Sequence, residues 1–233
     1  MSVFNIPNNM IIQGISLFEN NNVMLILDKN NNPVSAKEYS NIHVNFKGSD
    51  NIIIIRPPKH IKNLYIEVLN KDRIFIDEDF TTISKTIISL KSSESTVIIG
   101  KRALFVDVDI QMFDIPGRMI RIGDDALFGA FVSIKNNDGH TILDLNTKKI
   151  LNIPNQSIDI GNHVWIGRNV ALLKNASIGN DCVVGGYSVV TQKFNEDHVV
   201  VAGVPAKIVK RNITWDKRSI ERYMATECVH NEV

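Results

Sequence analysis

A repeat of six residues in the second half of this chain constrains its fold more than any other feature. Six aliphatic residues follow one another at intervals of six, and glycine comes directly after four of them. They are Ile160, Ile166, Leu172, Ile178, Val184 and Val190. A period of six fits neither an α-helix nor a long strand, whereas short strands joined by tight corners place one aliphatic side chain inward on each side. Three such sides predict an 18-residue coil.

The same count appears earlier in the chain, and it is fainter around Ile99 and Phe105. The clear earlier positions are Ile122, Phe128 and Ile134. Between Ile52 and Leu90 the β-branched runs have no clean phase, and we interpret them as degenerate coils. A β-sandwich or barrel also contains many short strands, but its turn spacing of roughly 8–12 residues gives no fixed period of six. The sequence therefore predicts an all-β fold, a parallel β-helix whose corner glycines permit positive φ and close backbone approach.

The chain divides into three predicted units. A strand-rich cap covers 1–50, the β-helix covers 51–211 with clear repeats over 99–211, and a short helix and tail cover 212–233. The Asn-rich stretch "NNVMLILDKNNNPVSA" in the cap predicts a hairpin or irregular strands over one end of the coil. Thr214 as an N-cap, followed by apolar residues at partly helical spacing, predicts the terminal helix.

The count in sixes stops after Ile134. His140 occupies the next inward position, and regular counting resumes at Ile160, so about twenty residues are not needed by the coil. They predict a loop over 140–157 extruded from one corner, and loops on rigid scaffolds often carry function. An imidazole titrates near neutral pH and can take a proton from an attacking hydroxyl or amine. The alternative for His140 is a solvated loop histidine without a function.

The repeat from about Ile99 to Arg211 resembles the left-handed β-helix of the hexapeptide-repeat acyltransferases. The left hand of the coil is implied by this resemblance, because the spacing alone shows only three short sides. The motif "NDGH" at Asn137–His140 is similar to the loop motif in which a histidine is the general base of these acetyltransferases. The resemblance implies that His140 is the catalytic base, with Gly139 where relatives often carry another polar residue.

Trp165 is the second candidate catalytic residue. It lies between the inward positions Val164 and Ile166, so its indole must point outward. The segment "HVWIG" is similar to the one that borders the acceptor pocket in polysaccharide O-acetyltransferases. This implies that the indole orients the acyl group or donates its N–H to the developing oxyanion. The alternative is an aromatic side chain in a trimer interface.

Several residues are candidates for binding coenzyme A. The segment 199–211 contains V-x-A-G-x-P-A-K, which in the family closes the β-helix and lines the coenzyme channel. Small residues there would admit a thin pantetheine chain, and cations would bind phosphates. Arg168 and Lys174 are either further phosphate ligands or solvated corner charges, and the Gly185-Gly186 pair either makes room or forms a tight turn. The predicted set is Arg168, Lys174, Gly185, Gly186, Gly203, Ala206, Lys207, Lys210 and Arg211.

Composition excludes other functional classes. The 26 basic and 25 acidic residues give a net charge of +1, so no global field favours nucleic acid. Cys182 and Cys228 are too few for a disulfide framework, and the histidine spacing matches no metal motif, so no metal is expected. Cys182 is predicted to be an inward core thiol, which favours direct transfer without an acyl-enzyme.

No basic n-region precedes Lys29 and no apolar run is long enough to span a bilayer, so we expect a cytoplasmic protein.

The resemblance as a whole implies an acetyl-CoA-dependent O-acetyltransferase that acts on a hydroxyl of a bacterial surface or capsular polysaccharide, sialic-acid capsules included. A sugar N-acetyltransferase or an antibiotic O-acetyltransferase would use the same scaffold. A non-enzymatic β-helical scaffold protein is the alternative from another class. Because relatives are trimers with active sites between adjacent coils, the resemblance also implies a homotrimer.

Overall fold

Short stacked strands form most of the regular structure of this chain. The structure, a computed structural model, describes residues 16–34, 39–155 and 157–228. The strands are β1 (Ser16–Phe18), β2 (Asn22–Leu27), β3 (Pro33–Val34), β4 (Ile42–Phe46), β5 (Ile52–Ile55), β6 (His60–Ile61), β7 (Leu64–Val68), β8 (Arg73–Ile76), β9 (Thr81–Lys91), β10 (Thr96–Ile99), β11 (Leu104–Phe113), β12 (Met119–Ile122), β13 (Leu127–Phe128), β14 (Val132–Lys135), β15 (Ile158–Ile160), β16 (Trp165–Ile166), β17 (Ala171–Leu172), β18 (Ser177–Ile178), β19 (Val183–Val184), β20 (Val189–Val190), β21 (Lys193–Phe194), β22 (Val199–Gly203) and β23 (Ala206–Arg211). One helix, α1 (Ile220–Cys228), follows them in the described part.

The strands stack in parallel as a three-sided coil of about seven turns. The first face contains β2, β5, β8, β10, β12, β15, β18 and β21. The second face contains β13, β16, β19 and β22, and the third contains β4, β7, β14, β17 and β20. The long strand β11 bends across the corner between the second and third faces, since it pairs with β13 at its start and with β14 farther on. β23 runs antiparallel to β22 and ends the second face.

The predicted stacking of the coils is confirmed. The inward pairs are Ile160 with Ile178, Ile166 with Val184, and Leu172 with Val190. These six side chains are at most 3% exposed. Each such burial is worth about 1.5–3 kcal/mol relative to exposure. The aliphatic column inside the coil therefore holds the fold together.

The extruded loop leaves the phase of the coil intact. Ile122 pairs with Ile160, 38 positions later, whereas Ile160 and Ile178 are 18 positions apart. Twenty residues therefore lie outside the coil, as the sequence predicts. Upstream coils are longer: Ile76 pairs with Ile99, and Ile99 with Ile122, at a separation of 23 residues. Because 23 is not a multiple of six, the region 52–90 shows no period of six. Its strands nevertheless belong to the coil, which agrees with the interpretation of this region as degenerate coils.

The corners use glycine differently from the prediction. Close backbone approach is confirmed, because a Cβ on Gly161 would lie 2.7 Å from the carbonyl carbon of Gly179 in the next coil. Positive φ, however, falls two residues later, at Asp125 (56°), His163 (52°) and Asp181 (54°). Asp, Asn and His tolerate this left-handed region better than most residues. Crowding from the neighbouring coil, and not φ, therefore requires the corner glycine.

The N-terminal strands belong to the coil itself. The predicted hairpin is present, since β2 and β3 pair antiparallel around the turn of residues 28–32. β2 also pairs in parallel with β5, and β4 with β7, so the coil begins upstream of the boundary placed at residue 51. The first coil is long, with Ile26 opposite Ile55, which hides it from a sixfold count. Residues 1–15 and 35–38 of the predicted cap, and 229–233 of the predicted tail, lie outside the described residues.

The predicted C-terminal helix is present, but it starts later than expected. Ser219, and not Thr214, caps it, because the backbone N–H of Arg222 donates to the Ser219 hydroxyl at 3.3 Å. Ile220 is 81% exposed, and Met224 on the same helix is exposed as well. Within one chain the helix therefore leaves its apolar side chains in contact with solvent.

Candidate active site

The loop of inserted residues leaves the coil at the corner between the third and first faces, here called the loop edge. It runs from Asn136 to Ser157, and its outer part is a short two-stranded arm in which Leu143 pairs with Ile150. The Asp144 carboxylate accepts hydrogen bonds from the backbone N–H of Asn146 and Thr147 and closes the tip of the arm. The extruded loop predicted over 140–157 is thus present and carries this arm, while Gln156 lies outside the described residues.

A polar network fixes the base of this arm. The Asp138 carboxylate pairs with the Lys174 ammonium group of the next coil and accepts a hydrogen bond from the Asn152 side chain at 2.9 Å. Asn152 also donates to the His140 carbonyl oxygen at 2.7 Å. The Lys174 hydrogen bond, followed by that of Asn152, lowers the pKa of Asp138. The carboxylate therefore stays ionised and ties the backbone of His140 to the coil.

His140 itself lies at the surface of the loop edge. Its side chain is exposed and lines a cavity of about 120 Å³, beside Asp114, Asn137 and Asn152. Among the residues that the structure describes, none forms a hydrogen bond with its imidazole ring. The ring nitrogens are therefore free to accept a proton from a molecule bound at this edge. This arrangement fits a general base whose backbone is held and whose ring is available.

Trp165 points outward from β16 on the second face, as predicted, and is 42% exposed. Leu127 and Val183 lie beside it on the adjacent strands. The indole of Trp215, from the segment after β23, lies next to it with ring centroids 6.0 Å apart. Trp215 therefore covers only part of the outward indole, and the sequence alone did not identify this contact.

One chain does not bring His140 and Trp165 together. The chain passes from the first face to the second and then the third within each coil, so the loop edge lies opposite the second face. His140 stands at that edge, and Trp165 stands in the middle of the opposite face. Both can act at one site only if they come from two chains.

Four of the predicted coenzyme ligands cluster at the corner between the second and third faces, here called the Arg168 edge. Arg168 and Gly186 occupy equivalent positions in successive coils, and the Arg168 guanidinium group lies 5.4 Å from the centre of the Phe131 ring. Gly185 and Gly203 are linked through Ser188, whose hydroxyl donates to the Gly185 carbonyl at 2.6 Å and accepts from the Gly203 N–H at 3.0 Å. The edge is crowded with small residues beside one cation.

The other predicted ligands have different surroundings. Lys207 and Lys210 are exposed on β23. Ala206 is only 2% exposed and packs in the core, so its side chain shapes the coil and does not line an open channel. Arg211 pairs with Glu196 at 2.8 Å, and Lys174 pairs with Asp138, so both cations already have carboxylate partners. Pairing neutralises the charge that phosphate binding would use.

Two exposed aromatic residues at the Arg168 edge, Phe131 and Tyr187, were not predicted from the sequence. Phe131 and Tyr187 have φ near 60° at the corner position where Asn169 stands in the coil between them. An aromatic side chain at positive φ is unusual, because this left-handed region is adopted mainly by Gly, Asn, Asp and His. That mismatch is the signal that could have identified them.

Cys182 is a buried core thiol, as predicted. Burial raises the pKa of its thiol, which disfavours the nucleophilic thiolate. No group of His, Cys, Asp and Glu side chains in residues 16–34, 39–155 and 157–228 is arranged to hold a metal ion. No helix in these residues is long and apolar enough to cross a bilayer.

Comparison with known proteins supports the sequence interpretation of the coil. The family model described as bacterial transferase hexapeptide (six repeats) matches residues 157–192. Over 113 residues the chain is 41% identical to a polysialic acid O-acetyltransferase of Neisseria meningitidis, and over 96 residues it is 35% identical to one of Escherichia coli O1:K1. These matches cover 48% and 41% of the chain. They span only 52% and 31% of the two relatives' lengths.

Two solved structures are similar along nearly the whole chain. The polySia-specific acetyltransferase NeuO superposes with a TM-score of 0.67 at 26% identity, covering 91% of this chain and 87% of its own. The polysialic acid O-acetyltransferase OatWY gives a TM-score of 0.63 at 25% identity, with coverages of 90% and 98%. The expected fold class, a left-handed parallel β-helix with an extruded loop, is confirmed.

Proposed function

We propose that the chain belongs to the hexapeptide-repeat transferase superfamily and that it transfers an acetyl group from acetyl-CoA to a hydroxyl of a bacterial capsular polysaccharide. The observation that carries this proposal is the inserted arm, which holds an available imidazole on an otherwise unreactive coil. The names of the similar proteins support an acidic, sialic-acid-containing acceptor. A sugar amine or an antibiotic hydroxyl is the alternative acceptor on the same scaffold.

In the proposed reaction His140 is the general base. Its ring nitrogen takes the proton of the acceptor hydroxyl while the oxygen attacks the thioester carbonyl carbon. The tetrahedral intermediate then breaks its C–S bond, and the protonated imidazole returns the proton to the leaving thiolate. The indole N–H of Trp165 donates to the negatively charged oxygen of the intermediate. The buried state of Cys182 supports direct transfer without an acyl-enzyme.

We place the acetyl-CoA donor along the Arg168 edge. Arg168 at this edge and the exposed Lys207 and Lys210 on the neighbouring strand β23 suit its phosphates, and the small residues Gly185, Gly186 and Gly203 suit a thin pantetheine chain. Lys174, Ala206 and Arg211 have structural roles in this proposal. No metal is needed, since the base is an imidazole.

We propose a homotrimer, in which the loop edge of one chain meets the second face of the next. The opposite placement of His140 and Trp165 within one chain supports this assembly. The exposed apolar residues of the arm, among them Leu145 at 81% exposure, support it as well. The predicted cytoplasmic location is retained as part of the proposal, since the thioester donor is produced there.

The test is incubation with labelled acetyl-CoA and a set of oligosaccharides that includes sialylated ones. We expect a base-labile gain of one acetyl group, and His140→Ala should lower the rate by about 100-fold or more. His60→Ala, which changes another exposed histidine, should retain the parental rate. Equal rates for His140→Ala and the parent would reject the base. A base-stable product would indicate N-acetylation. The absence of both turnover and coenzyme A binding would favour a scaffold protein.

A further inference from the structure

The indole of Trp215 is fixed by two contacts with the second face. Its Nε1–H donates to the His163 carbonyl oxygen at 2.7 Å. Its ring stacks on the His163 imidazole, with centroids 4.4 Å apart and planes 10° from parallel. The imidazole is held in turn by a hydrogen bond of 2.8 Å to Asp181 in the next coil. The Trp215 indole therefore attaches the segment after β23 to His163 on the second face.

Trp215 also pairs with Trp165, which is partly exposed. The two indoles are 6.0 Å apart with their planes at 42°, within the range of favourable aromatic pairs. Leu127 and Val183 flank Trp165 along the stack of strands, whereas 42% of Trp165 is exposed to solvent. An aryl side chain has a broad χ2 distribution, so an open side leaves the indole orientation poorly defined. Trp215 supplies the missing constraint.

We propose that Trp215 is a positioning residue for acetyl transfer, which holds the Trp165 indole in the orientation that its N–H needs to meet the reacting oxygen. This inference rests on the proposed role of Trp165. Because the constraint acts on a group used in the transition state, its loss should lower kcat while leaving the KM for acetyl-CoA nearly unchanged. A merely structural role would lower stability and not this rate alone.

Spectroscopy tests the pair independently of activity, because the chain contains only two tryptophans. Near-UV circular dichroism of the full chain should show a coupled indole signal that is lost equally in Trp215→Phe and Trp165→Phe. The matched control is Ile220→Ala, which alters a highly exposed side chain in the following helix and should keep the signal. If either single variant retains the parental signal after subtraction of one tryptophan, the two indoles are not coupled and the inference fails.

A double-mutant cycle then tests the coupling in catalysis. Trp215→Ala should lower kcat by about tenfold, at the upper end of what an aromatic contact supplies, and Trp215→Phe should lower it less. In the Trp165→Ala background, Trp215→Ala should have no further effect. An equal loss in both backgrounds would overturn the positioning role while leaving the proposed function standing. A parental rate in Trp165→Ala would instead overturn the role of Trp165, and with it this inference.

Discussion

At the scale of single residues, the burial of Asp72 makes the stability of the folded chain depend on pH. Its side chain is buried, and its two oxygens accept hydrogen bonds from the backbone N–H of Leu69 at 2.7 Å and of Ser95 at 2.8 Å. Burial, which outweighs these hydrogen bonds, raises the pKa of Asp72 to about 6. The folded protein therefore binds a proton here that the unfolded chain releases near pH 4.

The stabilisation from this proton is fully present below about pH 4 and is lost as the pH rises through about 6. We predict that, as the pH rises from about 4 to about 6, the unfolding free energy of the parent falls relative to that of Asp72→Asn. Urea unfolding at several pH values measures it. Asp216→Asn is the control, because Arg218 lowers the pKa of Asp216 to about 2 and its contribution is constant above pH 4. A constant Asp72 difference would contradict the prediction.

The candidate site shows which residues a sequence can reveal. His140 was identifiable because it interrupts a regular count, and Trp165 because its neighbours are inward aliphatic residues. Asn152 and Trp215 were not, because their contacts join distant positions: Trp215 binds the backbone of His163, 52 positions away. No local pattern encodes such a contact.

At the scale of the coil, three phenylalanines stack inside the longer upstream turns and the first regular one. Phe105 lies between Phe80, with ring centroids 5.1 Å apart, and Phe128, at 4.7 Å. All three are fully buried. The three rings therefore form a continuous aromatic stack in the core of these coils.

We predict that Phe105→Ala lowers the unfolding free energy by about 3–5 kcal/mol, because the cavity cannot close between two rigid rungs. Phe131→Ala is the matched control, since that ring is 58% exposed and lies beside the Arg168 cation at the surface. It should cost less than about 1 kcal/mol. Thermal or urea unfolding of both variants measures the difference, and similar losses would show that the stack is not part of the core.

The sequence predicts the 18-residue coils well because glycine and aliphatic positions are local to each corner. It does not reveal the phase of the 23-residue coils, for a physical reason. β11 crosses a corner without breaking, and the register with β9 shifts between Phe105 and Asp107. A bent strand with a bulge needs neither the glycine nor the regular spacing on which the count depends.

At the scale of the whole molecule, the opposite placement of His140 and Trp165 makes a testable statement about assembly. If the site is shared between chains, His140→Ala and Trp165→Ala proteins are each impaired, yet mixed trimers contain some sites with both native residues. Co-expression should restore about a quarter of the parental rate, because each site draws its two residues from independently chosen chains. A mixture no more active than its two components would place the site within one chain.

Sequence periodicity could not place these two residues relative to each other between chains. It assigns each residue to a side of the coil, but the packing of one coil against another depends on exposed side chains that follow no period. The exposed apolar side chains of the arm and of α1 are of this kind, since they follow no period.

The unbroken register on either side of the arm has a practical consequence. Strands β12 and β15 pair as if nothing had been inserted between them, because each rung of a solenoid depends only on its nearest neighbours. Under the proposed function the arm is therefore replaceable: arms of other lengths and chemistries grafted at the same edge should alter the acceptor preference while the coil keeps its register.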